Sequence, residues 1–373
     1  MPADALIDEA DRLMTICNAC RYCEGYCAVF PAMEKRRTFA KDDLIYMANL
    51  CFDCRACYYA CPYTPPHEYA INVPEVFANL RAETYQDFSA PGFMARAFQG
   101  SRVLVGFAVV AVVAIMFAVA IALRGATVVF EEQGADFFAV VPYWAMVAPA
   151  LALTGYWVLV LVAGAMRFWR ETGGSAGELV SAGAFLKAMK DAFGLAYLRG
   201  GGDGCFYPDE RPSYARVWYH HLVFFGFLLD LAATTVAAFY HNILGWHSPY
   251  ALLSVPVVLG TVGGVMLVIG TVGLLWMKWR ADRDPSYEHM LNMDVIFLGL
   301  LFGSALSGLV LLAWRDTAAM GTLLLIHLGI VAVLFITMPY GKFAHVAYRY
   351  AALVKNQIEV AADADRPAAA RSH

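Results

Sequence analysis

Six long stretches of the chain are almost entirely apolar, and polar residues concentrate between them and ahead of the first one. A transmembrane α-helix needs about 20 consecutive apolar residues, so each stretch predicts one membrane span. The stretches cover residues 103–123, 143–166, 218–240, 251–277, 295–314 and 323–338. We expect the sixth helix to continue past Pro339 towards Lys355. The pattern therefore predicts a six-helix transmembrane bundle.

The region ahead of the first span has short helical segments instead. Residues 42–50 and 72–85 have helical periodicity, and nothing before residue 90 alternates between apolar and polar positions as a strand does. Pro91 and Gly92 mark a connector to the membrane domain. The fold class that follows is all-α, with an N-terminal helical domain ahead of the bundle.

The chain divides into segments of different character. We assign residues 1–95 to the N-terminal domain with its connector and residues 96–355 to the membrane domain. Residues 175–198, between spans two and three, are amphipathic and predict a helix lying on the membrane surface. Residues 356–373 are rich in alanine and polar residues and predict a disordered tail.

Composition and charge support a membrane location. The chain is 60% hydrophobic and only 16% charged, against about 25% charged residues in soluble domains. Its mean hydropathy is +0.55. These values predict a lipid bilayer as the surroundings and no nucleic-acid partner.

Basic residues predict the orientation in the membrane. They cluster in the loops between spans two and three and between spans four and five, and after span six. Representatives are Arg167, Arg170, Lys187, Lys190, Arg199, Arg211, Arg216, Lys278, Arg280, Arg283, Lys342, Arg349 and Lys355. The other loops carry only Arg124 and Arg315. By the positive-inside rule, we expect an inner (cytoplasmic) membrane protein with both termini and the N-terminal domain in the cytoplasm.

Eight of the nine cysteines form two quartets with nearly the same spacing. The quartets are Cys17, Cys20, Cys23 and Cys27, and Cys51, Cys54, Cys57 and Cys61, the last followed by Pro62. In two-cluster ferredoxins, three cysteines at this spacing bind one [4Fe–4S] cluster and the fourth binds the other. We therefore assign one cluster to Cys17, Cys20, Cys23 and Cys61, and the second to Cys51, Cys54, Cys57 and Cys27. The N-terminal domain is thus predicted to be an α-helical, ferredoxin-like, two-cluster domain.

Zinc and disulfides are the alternative uses of these cysteines. Zinc sites usually consist of separated cysteine pairs, and disulfides require an oxidising compartment and no doubled spacing. Cys27 lacks the adjacent proline that follows Cys61, which weakens the match of the first quartet slightly. The ninth cysteine, Cys205, we expect to be a spare thiol.

Histidines in the apolar helices are the second chemical signal. Span three carries His220 and His221 at its cytoplasmic end and His241 at its far end, and span six carries His327 and His345. Ionisable residues within spans are costly and are candidates for function. Because spans three and six are antiparallel, His220 or His221 lies level with His345, and His241 with His327.

Two histidine pairs at two depths predict two bis-histidine b haems, with a single cytoplasmic-side haem as the fallback. The alternative is that these histidines cap helix ends or bind lipid headgroups. Helical geometry puts His221 on nearly the opposite face from His220. Glycines of span four could admit a porphyrin or quinone, although helix packing is their commoner role.

Several segments together resemble a known family. The double cysteine quartet is followed by WYHH (218–221), AAT (232–234), YH (240–241), LGTVGG (259–264) and MPYGKFAH (338–345). The chain resembles the tricarballylate-utilisation protein B family of citrate-utilisation-type membrane subunits, and the resemblance covers nearly the whole sequence. It implies an FAD-dependent dehydrogenase as the partner, whose flavin this subunit reoxidises, and the quinone pool as the electron acceptor.

The chain itself shows no site for an organic substrate. It has no dinucleotide-binding fingerprint, no P-loop and no nucleophile elbow. We therefore interpret it as an electron-transfer subunit whose FAD-containing dehydrogenase docks on the cytoplasmic side, against the quartets and the basic residues Lys35, Arg36 and Arg37. Those basic residues could equally form a solvated patch.

Two other functions are compatible with the same features. One is the electron-transfer subunit of a different complex, of the heterodisulfide-reductase or nitrate-reductase type. The other is a redox sensor or structural membrane anchor whose clusters only maintain the fold.

Overall fold

The computed structural model describes residues 3–364, which are helical apart from turns and loops. Within that range the only β-type pairing is an isolated bridge between Cys205 and Ser213. The N-terminal domain contains the helices α1 (Ala3–Cys20), α2 (Val29–Glu34), α3 (Lys41–Leu50), α4 (Ala56–Tyr59) and α5 (Val73–Asp87). The predicted all-α fold class is confirmed.

The membrane domain contains six helices that are long and apolar enough to cross a bilayer, as predicted. Helix α6 (Gly92–Gly100) connects the N-terminal domain to the first of them. In chain order, with two short helices after the first span, the domain consists of α7 (Arg102–Arg124), α8 (Ala126–Phe130), α9 (Phe137–Val140), α10 (Tyr143–Glu171), α11 (Ala182–Phe193), α12 (Ala215–Asn242), α13 (Val255–Arg280), α14 (Glu288–Ala313), α15 (Met320–Thr337) and α16 (His345–Ala364). The spans are α7, α10, α12, α13, α14 and α15.

Local sequence explains where several helices begin. Asn72 caps α5, because its side chain accepts a hydrogen bond from the backbone N–H of Glu75. Ser101 caps the first span in the same way through the N–H of Leu104. Span four begins at Val255 and not at residue 251, because Pro256 fits the first helical turn, where its missing N–H costs nothing.

The sixth span does not continue as one helix past Pro339, and this prediction was wrong. Helix α15 ends at Thr337, two 3₁₀ turns cover Met338–Tyr340 and Lys342–Ala344, and α16 starts at His345. Proline has no N–H to donate and its ring clashes with the preceding turn, so it ends a helix. His327 and His345 therefore lie on separate helices.

The end of the chain is also more ordered than predicted. Helix α16 continues to Ala364, so the first part of the predicted disordered tail is helical. Its contacts explain this: Asn356 is buried, Gln357 donates to the carboxylate of Asp191 over 2.7 Å, and Glu359 pairs with Arg36 of the N-terminal domain over 2.7 Å. Residues 365–373 of the predicted tail lie outside the described residues.

One hydrophobic core joins the N-terminal domain to the adjacent end of the transmembrane bundle. It includes Leu6 and Phe77 of the N-terminal domain, Phe168 of α10, and Tyr348 and Leu353 of α16. The two domains are therefore packed together through a continuous apolar interface, and the cysteine quartets are held against the ends of the spans.

The amphipathic segment between spans two and three contains helix α11. Its Ala184 and Ala188 are buried, whereas Leu186, Met189 and Phe193 are exposed on its other side. It packs against α16, where the Tyr350 hydroxyl donates to the carbonyl of Phe185 over 3.1 Å. An exposed apolar face beside a polar one is typical of a helix at a membrane surface.

Candidate metal centres

The first cysteine group lies where α1 ends. Its members Cys17, Cys20, Cys23 and Cys61 line one cavity, together with Cys57 of the neighbouring group. Arg21 has a φ of 55°, a left-handed conformation that turns the chain back after the helix and returns Cys23 towards it. Cys61 comes from the other quartet, directly after α4, as the predicted exchange of fourth cysteines requires.

The second group is more deeply buried than the first. Cys51 and Cys54 are buried, whereas Cys20 of the first group is exposed. Asp53 and Arg55 both have positive φ, which coils the chain tightly between Cys51 and α4. Cys27 joins this group: burial raises its pKa, and its neighbours Cys54 and Cys51 raise it further.

The surroundings of these thiols make their deprotonation costly. Burial, followed by the proximity of the other cysteines of its group, raises the pKa of Cys17 to about 12 and that of Cys23 to about 12. Thiolates are the metal-binding form, so the cluster iron would have to offset this cost. No three His, Cys, Asp or Glu residues between positions 3 and 364 are arranged around a single metal ion. A cubane requires a wider arrangement, because each thiolate binds a different iron.

The structure thus brings together both predicted cysteine groups, and their cluster assignment stays a prediction. No sequence pattern connects Cys205 with them. Its side chain is fully buried, and its Sγ lies 3.5 Å from the Cys54 carbonyl oxygen and 3.5 Å from Arg216 Nη1. The backbone N–H of Phe206 also donates to the Cys54 carbonyl, over 2.9 Å. Cys205 is therefore part of the surroundings of the second group.

The histidine pair on the N-terminal-domain side of the bundle is brought together. The ring centroids of His220 on α12 and His345 on α16 are 6.3 Å apart, and the ring planes are perpendicular. His345 Nδ1 lies 2.6 Å from the carbonyl oxygen of Lys342, to which it can donate, leaving Nε2 as its metal-binding nitrogen. His220 Nδ1 is buried and has no hydrogen-bond partner among the described residues.

This spacing fits two axial ligands of one iron. A five-membered ring with bonds of about 1.35 Å places each nitrogen about 1.15 Å from the centroid, and imidazole binds a transition metal at about 2.0 Å. Imidazoles on opposite sides of one metal therefore have centroids about 6.3 Å apart, which equals the observed separation. Metal binding would also compensate for the burial of His220, whose Nδ1 has no hydrogen-bond partner among the described residues. His220 and His345 are the residues that would hold a haem, and this assignment stays a prediction.

The far-side histidines, His241 and His327, each contact other residues in this structure. His241 stacks on Tyr143 at 4.0 Å, and its Nδ1 lies 3.0 Å from Nδ1 of His247. His327 instead contacts Ser307, whose Oγ lies 2.9 Å from its Nδ1. Each ring therefore has other partners. The two-haem prediction stays a prediction, with a single haem held by His220 and His345 as its fallback.

His221 faces away from the pair, as helical geometry predicted. Its Nε2 lies 3.1 Å from the carbonyl oxygen of Phe193 in α11. The surroundings of His345 are aromatic: the rings of Trp157, Phe227 and Phe297 lie 5.6 to 5.9 Å from that of Phe343, two residues earlier. An apolar shell of this kind tunes the potential of a haem.

Most of the predicted basic docking patch is used inside the molecule. Arg36 pairs with Asp43 and with Glu359 of α16, the latter over 2.7 Å, and Lys35 pairs with Asp363 over 2.6 Å. Arg37 is exposed. The first two residues therefore connect the N-terminal domain to the end of α16.

The glycines of span four pack helices together. A Cβ on Gly263 would lie 2.8 Å from the carbonyl oxygen of Gly226, and one on Gly270 would lie 2.8 Å from that of Tyr219. These contacts bring α13 directly against the backbone of α12, which carries His220. Helix packing is thus their role in this fold.

Comparison with known proteins adds the family. Residues 99–367 match the family model described as Citrate utilization protein B, and residues 10–87 match its Fer4-like domain. The chain is 43% identical over 359 residues to Citrate utilization protein B of Escherichia coli, an alignment that covers 94% of this chain and 92% of that protein. This chain belongs to the Citrate utilization protein B family. It is a multi-pass membrane member with an iron–sulfur-type N-terminal domain, and no solved structure matches it.

Proposed function

We propose that this chain is the membrane electron-transfer subunit of an oxidoreductase complex. It takes electrons from an FAD-dependent dehydrogenase that acts on a tricarboxylate such as tricarballylate, and it delivers them to the quinone pool. Reduced flavin gives up two electrons and two protons, and a quinone takes up two electrons and two protons to become a quinol. The chain carries the electrons one at a time.

The observation that carries this proposal is the His220–His345 pair beside the second cysteine group. The ring centroids of the two histidines are 6.3 Å apart, and both would hold the same haem iron. Arg216 and Arg349 lie one helical turn from them and donate to the backbone carbonyls of Asp53 and Cys51. A cluster held by the second group and a haem held by the pair would therefore be neighbours within one rigid unit.

The cysteines and histidines have separate roles in this function. Two [4Fe–4S] clusters and one b haem, when bound, supply one-electron carriers. Cys17, Cys20, Cys23 and Cys61 would hold the cluster nearer the surface, and Cys51, Cys54, Cys57 and Cys27 the buried one. His220 and His345 would hold the haem, while the Lys342 carbonyl fixes the tautomer of His345.

The first cysteine group is the side on which a flavoprotein would dock. Cys20 is exposed, and Tyr22 beside it is 65% exposed. The second group is covered by α16 and the loops between the spans. With the basic loops on the same side as the N-terminal domain, this docking face would be cytoplasmic.

Optical spectroscopy of the purified full-length protein tests the proposal. We expect one b-type haem per chain, whose reduced α-band bleaches when decylubiquinone is added to the dithionite-reduced protein. His220→Ala and His345→Ala should each lose the haem, because the iron keeps one axial imidazole. His221→Ala is the matched control and should retain it, because its ring is turned towards Phe193.

The outcomes separate the candidate functions. A haem that is absent from the parent protein would support the structural anchor and refute the electron-transfer chain. A haem retained in both His220→Ala and His345→Ala would refute the ligand assignment. Two haems per chain would show that a far-side site forms after all.

A further inference from the structure

Buried arginines surround the second cysteine group. Arg81 is 1% exposed and donates from Nη1 to the carbonyls of Ala48 and Cys51, over 3.0 and 3.3 Å. Arg349 of α16 donates from Nη2 to the same Cys51 carbonyl over 2.8 Å. Two guanidinium groups from different domains thus converge on the backbone of a predicted cluster ligand.

Two further arginines complete the set. Arg216 of α12 donates to the carbonyl of Asp53 over 2.5 Å, and Arg55, which is 2% exposed, lies 3.9 Å from the Asp53 carboxylate. Asp53 is the acidic residue within the loop, and its carboxylate lies 3.9 Å from Arg55 and 3.8 Å from Arg216. The guanidinium groups of Arg81, Arg349, Arg216 and Arg55 therefore lie around the loop from Cys51 to Arg55, whereas Asp53 is the one carboxylate within it, so the loop lies in a positive environment.

The first cysteine group has no comparable set among residues 3–364. Arg21 donates to the carbonyl of Asn18 over 3.0 Å, but in an exposed contact. Arg12 is paired with Glu9. Solvent screens exposed charges much more than buried ones, so the two groups differ in electrostatic environment.

That difference acts directly on redox chemistry. A [4Fe–4S] cluster with four thiolates has a net negative charge, which increases by one when the cluster is reduced. Buried positive charge nearby therefore stabilises the reduced form and raises the reduction potential, whereas solvent-screened charge has little effect.

We propose that Arg81 and Arg349 are positioning residues that raise the reduction potential of the second cluster above that of the first. This inference rests on the proposed function, because it requires both clusters. The electron then moves from the cluster of the first cysteine group to that of the second. Arg349, which contacts the second group, lies one turn along α16 from His345. The direction of transfer is set by the arginines of the fold itself.

Redox titration of the full-length protein, followed by electron paramagnetic resonance, tests the proposal. The parent should give two one-electron waves. Arg349→Gln keeps hydrogen-bond donors and removes the positive charge. At a fixed potential, the ratio of reduced to oxidised cluster in the upper wave should therefore fall at least tenfold. That change corresponds to a midpoint potential lower by 59 mV for a one-electron couple. The lower wave should stay in place. Arg349→Lys keeps the positive charge, so its upper wave should lie close to that of the parent protein. Arg21→Gln, at the first group, should move neither wave.

Two outcomes would overturn the inference. One is an upper wave that stays in place in Arg349→Gln with iron and sulfide content intact, and the other is a shift confined to the lower wave. If Arg349→Gln loses its clusters, Arg81→Gln gives the same test from the other side of the Cys51 carbonyl. A parent protein without clusters would refute the proposed function as well, whereas two immobile waves would refute this inference alone.

Discussion

Replacing Asp294 by asparagine tests how a buried ion cluster holds the end of the bundle. Asp294 of α14 is 4% exposed. Its carboxylate pairs with Lys278 at the end of α13 and lies 2.8 Å from the ammonium of Lys342 in the turn after α15. The carbonyl of Lys342 in turn accepts from His345. The cluster therefore connects three helices to the predicted haem ligand.

The expected change in the free energy of unfolding follows from two opposing contributions, the attraction between the charges and the cost of burying them. At an effective dielectric constant of about 20, the 2.8 Å pair attracts by about 6 kcal/mol, while burial costs several kcal/mol for each of the three ions. The intact cluster therefore contributes little net stability. Asparagine, however, would leave two buried ammonium groups without a counter-charge, so we expect Asp294→Asn to lower the free energy of unfolding by about 3–5 kcal/mol.

The measurement is reversible unfolding in mixed micelles, with a rising fraction of dodecyl sulfate and tryptophan fluorescence as the signal. Asp316→Asn is the matched control, because that side chain is 76% exposed and the change should cost less than about 0.5 kcal/mol. The combined variant Lys278→Met, Asp294→Leu and Lys342→Met removes all three charges and should be more stable than Asp294→Asn. The reasoning is refuted if Asp294→Asn unfolds within about 1 kcal/mol of the parent.

Two further predictions concern the cysteine groups and the helix contacts. Cys61→Ser should abolish the cluster bound by Cys17, Cys20 and Cys23 and spare the other cluster, whereas Cys205→Ser should keep both clusters. Electron paramagnetic resonance of the reduced variants measures this. Two unaltered cubane signals in Cys61→Ser would contradict the exchange of fourth cysteines. Gly263→Ala should cost about 1–3 kcal/mol in the same micelle assay, because its Cβ would lie 2.8 Å from the Gly226 carbonyl. Gly299→Ala, which meets nothing within 4 Å, should be neutral, and equal losses in both variants would contradict the close-contact argument.

The sequence predicted those features that local pattern controls. Apolar length determined the six spans, and the spacing of the quartets predicted that Cys61 and Cys27 exchange groups, which the structure also brings together. Helical geometry correctly separated His220 from His221, because both lie on one uninterrupted helix.

The errors came from assuming straight continuation. Pro339 ends the sixth helix, so the predicted continuation towards Lys355 is not one helix, and His327 and His345 lie on separate helices. The loop beyond α12 brings His247 to His241, a contact that could not be predicted because a loop conformation has no periodicity. Contacts such as Cys205 with Cys54, or Arg349 with Cys51, join residues far apart in the chain, and no local pattern predicts them.

The break between α15 and α16 has a consequence for how the protein is made. His345 and Arg349 stand on the last helix of the described chain, while the cysteines that they adjoin are near its beginning. During synthesis the buried cysteine group is therefore left without this cover until α16 has been translated. The arrival of α16, fastened by Glu359 to Arg36, then closes the site and completes the histidine pair in the same step.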